Sequence, residues 1–194
     1  MTRWRGTRSR GFTLAELMVV VVIVGVMATL GLVVLGRHQK AARTYETLAM
    51  VQSIRVAQER WRSENLTYLN VSSNEIDRFD TGVWFPRNPV GPQGGKRVSF
   101  LQSANAHGIQ GVKWIMLNPT SNPLVYGGYR TNAGMADQAM KAPEYTPRGG
   151  FTWPTASEPW YTIEAVMDSD ADGTVATYLA SSLNGEIYRQ DEGE

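Results

Sequence analysis

The sequence predicts an α+β fold in which one long N-terminal helix packs on a C-terminal antiparallel sheet of four to five strands. An almost uninterrupted aliphatic run comes first. It continues, without proline, into a stretch in which apolar residues recur at helical spacing. Short runs of β-branched and aromatic residues, bounded by turn residues, then fill the second half of the chain. We expect a leader at 1–11, an apolar half-helix at 12–35, an amphipathic half-helix at 36–65, a variable loop region at 66–111 and a sheet region at 112–194.

The aliphatic run from Phe12 to Leu35 is long enough to cross a membrane. About 24 residues at ~1.5 Å each give roughly 36 Å of helix, against a hydrocarbon core of ~30 Å. A helix suits this environment because it satisfies its own backbone hydrogen bonds in lipid. Glu16 is the one ionised residue within the run. Because a carboxylate in lipid costs up to about 3 kcal/mol, we expect Glu16 to have a partner.

The residues before the run form the leader MTRWRGTRSRG, which contains four arginines and no acid. The junction Gly11-Phe12-Thr13-Leu14-Ala15-Glu16 resembles the processing site of type IV prepilins and of type II secretion pseudopilins. The resemblance implies cleavage by a dedicated peptidase after Gly11, N-methylation of Phe12 and retention of Glu16 in the helix. An ordinary signal-anchor helix is the alternative, but it does not need an acid at this spacing.

The resemblance also implies how such subunits assemble. The new amine of Phe12 would pair with Glu16 of a neighbouring subunit, and losing one partner would leave a buried charge costing several kcal/mol. The implied partners are further copies of the chain, other pilins, the prepilin peptidase, and an assembly platform protein with its ATPase. The implied location is the inner membrane, with a cytoplasmic N-terminus, and then a surface pilus or periplasmic pseudopilus.

The charge and cysteine content of the chain limit which partners and which kinds of domain can be expected. Loss of the four leader arginines changes the formal charge from +1 to −3, so net charge does not favour a nucleic-acid partner. The chain has no cysteine, and hence no disulfide to staple an extracytoplasmic domain. We expect the domain to be held by its core, by assembly or by a metal.

Beyond Leu35 the helix is predicted to continue to about Asn65, giving roughly 54 residues in all. Met50, Ile54, Ala57 and Trp61 form one stripe at helical spacing and are the predicted core face. The following loop region is predicted to contain one helical turn, at Glu75–Phe79.

The second half of the chain is predicted to form the sheet. A strand at Val112–Leu117 and a return strand at Leu124–Arg130 flank a turn that is rich in asparagine and proline. A short helix is expected near Met135–Lys141. Three further strands are expected, at Trp160–Met167, Val175–Ser181 and Glu186–Arg189.

One motif in the sheet region suggests a metal. Asp168, Asp170 and Asp172 alternate along the chain and precede Gly173, like the start of a calcium loop. The similarity ends there, because Leu179 stands where such a loop supplies its bidentate glutamate. The alternative is a hairpin turn in which Asp and Gly tolerate the backbone geometry.

Nothing in the sequence assembles a catalytic constellation, and we expect no enzyme activity. The two histidines, His38 and His107, have no candidate partners. Arg55, Arg60 and Arg62 could form a patch for DNA, but a solvated helix face is the favoured alternative. The resemblance to prepilins implies that the chain is a structural subunit of a type IV pilus or similar filament. The alternatives are a pseudopilin of type II secretion or DNA uptake and, more distantly, a membrane-anchored periplasmic enzyme or binding domain.

Overall fold

The computed structural model describes residues 11–72, 84–86, 95–100, 108–119, 124–140, 142–143 and 151–192. A long helix comes first, and the strands of the main sheet follow it. The elements are α1 (Leu14–Asn65), β1 (Val98–Ser99), α2 (Gly108–Leu117), β2 (Leu124–Val125), β3 (Gly128–Gly134), β4 (Trp160–Met167), β5 (Ala176–Ser181) and β6 (Ile187–Gln190). This order confirms the predicted α+β class and the predicted long helix.

The chain divides into two compact units, residues 1–39 and residues 40–194. In the first unit, α1 is apolar and its large described side chains are exposed, from 50% for Val20 to 76% for Leu14. This part of α1 is long and apolar enough, by length and composition, to cross a membrane.

In the second unit, the rest of α1 contributes one face to the core. Met50, Ile54 and Ala57 are buried and Trp61 packs against them, which confirms the predicted stripe. Val51, which lies beside Met50 and Ile54 on the helix surface, is also fully buried. Because these residues recur every three or four positions, one side of the helix can pack on the sheet while the other side stays hydrated.

The main sheet has four antiparallel strands in the order β3-β4-β5-β6. Neighbours in sequence are neighbours in the sheet, as is common for consecutive strands, although a long connection joins β3 to β4. Thr131 pairs with Ile163, Ile163 with Ala180, and Ala180 with Ile187. Alternate residues along these strands, including Tyr129, Ile163 and Ala180, join the core that α1 lines. The last three predicted strands are confirmed to within one residue at each end.

The predicted strand at Val112–Leu117 is wrong, because these residues belong to helix α2. The buried residues of α2 are Gln110, Gly111, Trp114 and Leu117, and their spacing is helical rather than alternating. Asn118 follows with a positive φ of 44°, and its N–H donates to the carbonyl of Trp114. An asparagine in this conformation, followed by Pro119, is a common way to end a helix. The segment 112–194 therefore begins with a helix rather than with sheet.

Two further predictions need correction. The predicted return strand Leu124–Arg130 is split: β2 pairs with β1, which the sequence had placed in a loop region, and β3 begins the main sheet. Over residues 135–140 the chain forms a turn and no helix. The predicted helical turn at Glu75–Phe79 lies outside the described residues.

Candidate functional site

The start of α1 is organised by two side chains that bind each other's backbone. The N–H and the hydroxyl of Thr13 both donate to Glu16 Oε2, at 2.8 Å each. The N–H of Glu16 donates in return to Thr13 Oγ1, at 3.3 Å. This reciprocal capping box fixes the first turn of the helix. Gly11 and Phe12 stand before the helix, in non-helical backbone.

The carboxylate of Glu16 therefore has partners within its own chain, although its surroundings are apolar. It is the only charged side chain between residues 11 and 35, and the large apolar side chains described around it are exposed. Hydrogen bonds from Thr13 stabilise the carboxylate but do not neutralise its charge. A positively charged group of another molecule, brought next to Glu16, would balance this negative charge.

The acidic loop, which we define as residues 168–173, connects β4 to β5. Asp168 is buried, and its two carboxylate oxygens accept hydrogen bonds from the N–H groups of Ala171 (2.7 Å) and Gly173 (3.0 Å). Ala171 and Gly173 both have positive φ, of 67° and 94°. Asp172 accepts a hydrogen bond from the N–H of Thr174 at 2.6 Å. Two of the aspartates thus shape the turn through its own backbone.

The third aspartate of the acidic loop binds α1. Asp170 Oδ2 lies 3.0 Å from Lys40 Nζ, and this contact lowers the pKa of Asp170. One turn along the helix, the guanidinium of Arg43 donates to the carbonyl of Ser169. The N–H of Gly95 donates to the carbonyl of Asp168 at 2.7 Å. The acidic loop is therefore held from two directions by the rest of the second unit.

The same loop has a donor set that suits calcium. Oxygens of Asp168, Asp170 and Asp172 lie within 4.8 Å of one another, and a hard cation prefers such all-oxygen sites. These three residues would hold the ion. Each carboxylate already accepts a hydrogen bond from the chain, so an ion would have to compete with Lys40 for Asp170. Calcium binding stays a prediction, and the hairpin-turn alternative accounts for the observed contacts.

The chain matches a family model, the prokaryotic N-terminal methylation motif, over residues 6–32. The chain carries the signature of type IV pilins and pseudopilins. The match includes Gly11, Phe12, Thr13 and Glu16, so the capping box and the proposed cleavage site fall within one motif. No curated protein and no solved structure matches the chain.

The motif has consequences for partners and location. It implies processing by prepilin peptidase and polymerisation with other pilins. Together with the apolar part of α1, it is consistent with a membrane-anchored protein.

The three arginines considered as a DNA patch bind the protein itself. Arg55 donates to two carbonyls of the β5–β6 turn at 2.9 Å each, and Arg60 donates to the carbonyl of Leu117 at 2.6 Å. Arg62 donates to the hydroxyl of Tyr68 at 2.7 Å and also lies over its ring. Arg60 is exposed and Arg55 and Arg62 are half-buried, which agrees with the solvated-face interpretation, although each guanidinium also binds the chain. Their guanidinium groups connect α1 to three later parts of the fold, which leaves them poorly placed to bind phosphates.

Gln58 was missed as a structural residue by the sequence analysis. Its fully buried amide donates to the carbonyl of Leu69 (2.9 Å) and accepts from the N–H of Leu69 (3.0 Å). It also donates to the hydroxyl of Thr131 on β3, at 3.1 Å. One side chain thus fixes the chain after α1 and connects it to the sheet. The available signal was its position, four residues after Ile54 on the core face.

A pocket of about 500 Å³ lies in the described part of the second unit. It is lined by residues 137–140, 142 and 151–156, and Asp137 is the only ionisable side chain among these. His38 is exposed on α1, and His107 lies outside the described residues.

Proposed function

We propose that this protein is a structural subunit of a type IV pilus or pilus-like filament. Prepilin peptidase cleaves it after Gly11, and Phe12 is then N-methylated. The mature subunit waits in the inner membrane and polymerises through the apolar part of α1. During polymerisation the new amine of Phe12 pairs with Glu16 of a neighbouring copy.

The observation that carries this proposal is the position of Glu16. It is a single carboxylate, held by a capping box at the start of a helix whose described large apolar side chains in the first unit are exposed. Neighbouring helices can cover that surface in place of lipid and so keep it out of water, where its exposure would cost about 25 cal/mol for each Å². A neighbour's amine supplies the missing positive charge, and the pairing fixes the register of the helices.

The mass of the mature protein tests the proposed processing. We expect protein purified from its own host to lack residues 1–11 and to carry one additional methyl group on Phe12. A Gly11→Leu variant, in which the cleavage site is blocked by a bulky side chain, is expected to keep its leader. Protein that retains its initiator methionine, or that is cut beyond Ala28 by the general export machinery, would contradict the proposal.

The same motif supports a second candidate, a pseudopilin of a type II secretion or DNA-uptake system. Deletion of the gene separates the two. Loss of surface fibres or twitching motility supports the pilus, whereas loss of protein secretion or DNA uptake supports the pseudopilus.

We also propose that the chain acts by assembly and has no enzymatic activity of its own. An assembly ATPase, working through a platform protein in the inner membrane, would supply the energy that moves subunits into the filament. Purified full-length protein that turned over a substrate would revive the alternative of a membrane-anchored enzyme.

A further inference from the structure

The turn between β5 and β6 contains an asparagine that is followed by a glycine. Asn184-Gly185 is the only Asn-Gly pair in the chain, and both residues are exposed. In such a pair the backbone nitrogen of the glycine can attack the asparagine side chain, because glycine has no side chain to hinder the approach. The reaction is intramolecular, so the two groups need no encounter in solution. Asparagine is for this reason one of the chemically labile residues of proteins.

Arg55 places a positive charge at the oxygen where this reaction first develops negative charge. Its Nη2 donates to the carbonyl of Asn184 and its Nη1 to the carbonyl of Gly185, each at 2.9 Å. When the N–H of Gly185 loses its proton, the negative charge of the amide is shared with the carbonyl oxygen of Asn184. A charged donor already bound to that oxygen stabilises the anion, and the anion is the nucleophile.

A second donor lies at the group that is attacked. The hydroxyl of Ser181, at the end of β5, donates to Asn184 Oδ1 at 3.4 Å. This oxygen becomes negative when the nitrogen of Gly185 adds to Cγ of Asn184. Ser181 is buried, and its oxygen accepts a hydrogen bond from the N–H of Leu183 at 3.3 Å, which fixes the hydroxyl in place. The two donors thus bind the two oxygens that gain charge.

The backbone nitrogen of Gly185 is accessible. Among the described residues, none accepts a hydrogen bond from its N–H. Apart from neighbouring residues in the chain, no described atom lies within 4 Å of the place where a Cβ would stand at Gly185, and its backbone is not in the left-handed region. The asparagine side chain and water can therefore reach this peptide bond.

We propose that Asn184 is a site of spontaneous deamidation, which Arg55 and Ser181 accelerate in the folded protein. The nitrogen of Gly185 forms a bond to Cγ of Asn184 as the bond from Cγ to Nδ2 breaks, and the proton of the Gly185 N–H leaves with Nδ2 as ammonia. Water then opens the succinimide ring at either carbonyl and gives aspartate or isoaspartate at position 184. The net change exchanges an NH group for an oxygen atom and adds one negative charge to an exposed turn. These residues all belong to the second unit, so the reaction does not depend on the proposed assembly.

The rate of this change in folded and in unfolded protein tests the proposal. Full-length protein is incubated in detergent at neutral pH, with and without urea, and peptide mapping by mass spectrometry follows the conversion at position 184. In urea neither donor is held at the turn, so we expect the folded protein to convert several-fold faster. Equal conversion in both conditions, or faster conversion in urea, would overturn the acceleration by Arg55 and Ser181. If the folded protein did not convert at all, position 184 would not be a deamidation site.

Substitutions separate the contributions of the three groups. Gly185→Ala is expected to suppress the conversion, since the added methyl group hinders the attack but fits the open space at this position. Arg55→Gln and Ser181→Ala are each expected to slow the conversion several-fold in the folded protein and to leave its rate in urea unchanged. Arg60→Gln is the matched control, because Arg60 also donates to a backbone carbonyl, that of Leu117, but lies away from the turn.

Circular dichroism without urea shows whether each variant is folded. Ser181→Ala decides the outcome if Arg55→Gln does not fold, because it removes only one hydroxyl from the site. Folded variants of Arg55 and Ser181 that convert as fast as the unmodified protein would overturn the acceleration. A similar slowing in Arg60→Gln would also overturn it, since the effect would then not come from the donors at Asn184.

Discussion

At the scale of single residues, polar side chains on α1 determine where the rest of the second unit attaches. Lys40 and Arg43 bind the acidic loop, and Gln58 binds both Leu69 and β3. Each of these contacts joins residues that are far apart in the chain, or fixes the segment just after the helix. The buried amide of Gln58 in particular specifies one arrangement, since any other would leave it unpaired.

The Lys40–Asp170 pair predicts a specific dependence on pH. The contact lowers the pKa of Asp170 in the folded protein, so it stabilises the fold above the pKa of the unfolded chain and its effect is lost as pH falls through the folded pKa. Lys40→Gln is expected to lower the free energy of unfolding at pH 7 by less than about 1 kcal/mol, because both side chains are 40% exposed.

Urea unfolding of the full-length protein in detergent, at neutral pH and below the lowered pKa of Asp170, measures this effect. The difference between Lys40→Gln and the unmodified protein is expected to vanish in acid. Lys113→Gln, which removes a lysine but leaves this ion pair intact, is the control. A difference that persisted unchanged in acid would show that Lys40 acts through something other than Asp170.

At the scale of elements, the part of α1 in the second unit has one face that is buried in the core and an opposite face that is exposed to solvent. Ile54 is fully buried, whereas Val56, two residues further along, is 69% exposed. Helical geometry accounts for the contrast, since a step of two residues turns the side chain by about 200°, which places it nearly on the opposite side of the helix.

These two residues form a matched pair for measuring the packing of α1. Ile54→Ala is expected to lower the free energy of unfolding by about 2–5 kcal/mol, because it removes buried methyl groups and leaves a cavity. Val56→Ala is expected to change it by no more than about 0.5 kcal/mol. Tryptophan fluorescence during urea unfolding of the full-length protein provides the comparison. If both variants lowered the free energy of unfolding by a similar amount, the core would have to pack on a different face of α1.

The acidic loop is an element for which two interpretations make different predictions. If it binds calcium, the melting temperature is expected to be higher in calcium than in a chelator, and Asp168→Asn, Asp170→Asn and Asp172→Asn combined to abolish that difference. Lys40→Gln is then expected to increase calcium affinity, because it frees Asp170.

If the loop is only a hairpin turn, calcium has no effect on the unmodified protein. The triple variant still melts at a lower temperature in both buffers, since Asp168 no longer organises the backbone of the turn through a charged acceptor. The difference between the two buffers, rather than the melting temperature itself, therefore decides between the interpretations. A calcium effect that survived the triple substitution would show that the ion binds elsewhere.

At the scale of the whole molecule, two substitutions separate the proposed role of Glu16 in assembly from its role in the capping box. Glu16→Gln keeps a side chain that can complete a capping box but removes the charge, whereas Glu16→Ala removes both. If Glu16 pairs with a neighbour's amine, both variants are expected to insert in the membrane and to assemble poorly.

Membrane fractionation of the full-length variants measures their insertion, and the yield of filaments measures their assembly. Leu17→Ala, a substitution at the adjacent exposed position, controls for a general effect of altering the helix surface. Normal assembly of Glu16→Gln together with failure of Glu16→Ala would show that the cap, and not the charge, is what assembly requires.

The sequence predicted α1 and the strands β4, β5 and β6 closely because their signals are local. A run without proline, a stripe at helical spacing and β-branched segments between turn residues each indicate the backbone conformation of the segment itself. Helix α2 was missed because its aliphatic residues lie on both sides of it. Without an alternation between apolar and polar residues, Val112–Leu117 can be interpreted as either a strand or a helix.

By itself, the sequence determined the processing motif, the apolar helix with its single acid and the order of the main strands. These properties depend on neighbouring residues and on length, which a linear chain displays directly. Only the tertiary structure decided that Lys40 meets Asp170, that Gln58 meets Thr131 and that the outer face of α2 is aliphatic. Such contacts depend on which distant segments fold against each other, and burial can be assigned only when those segments are in place.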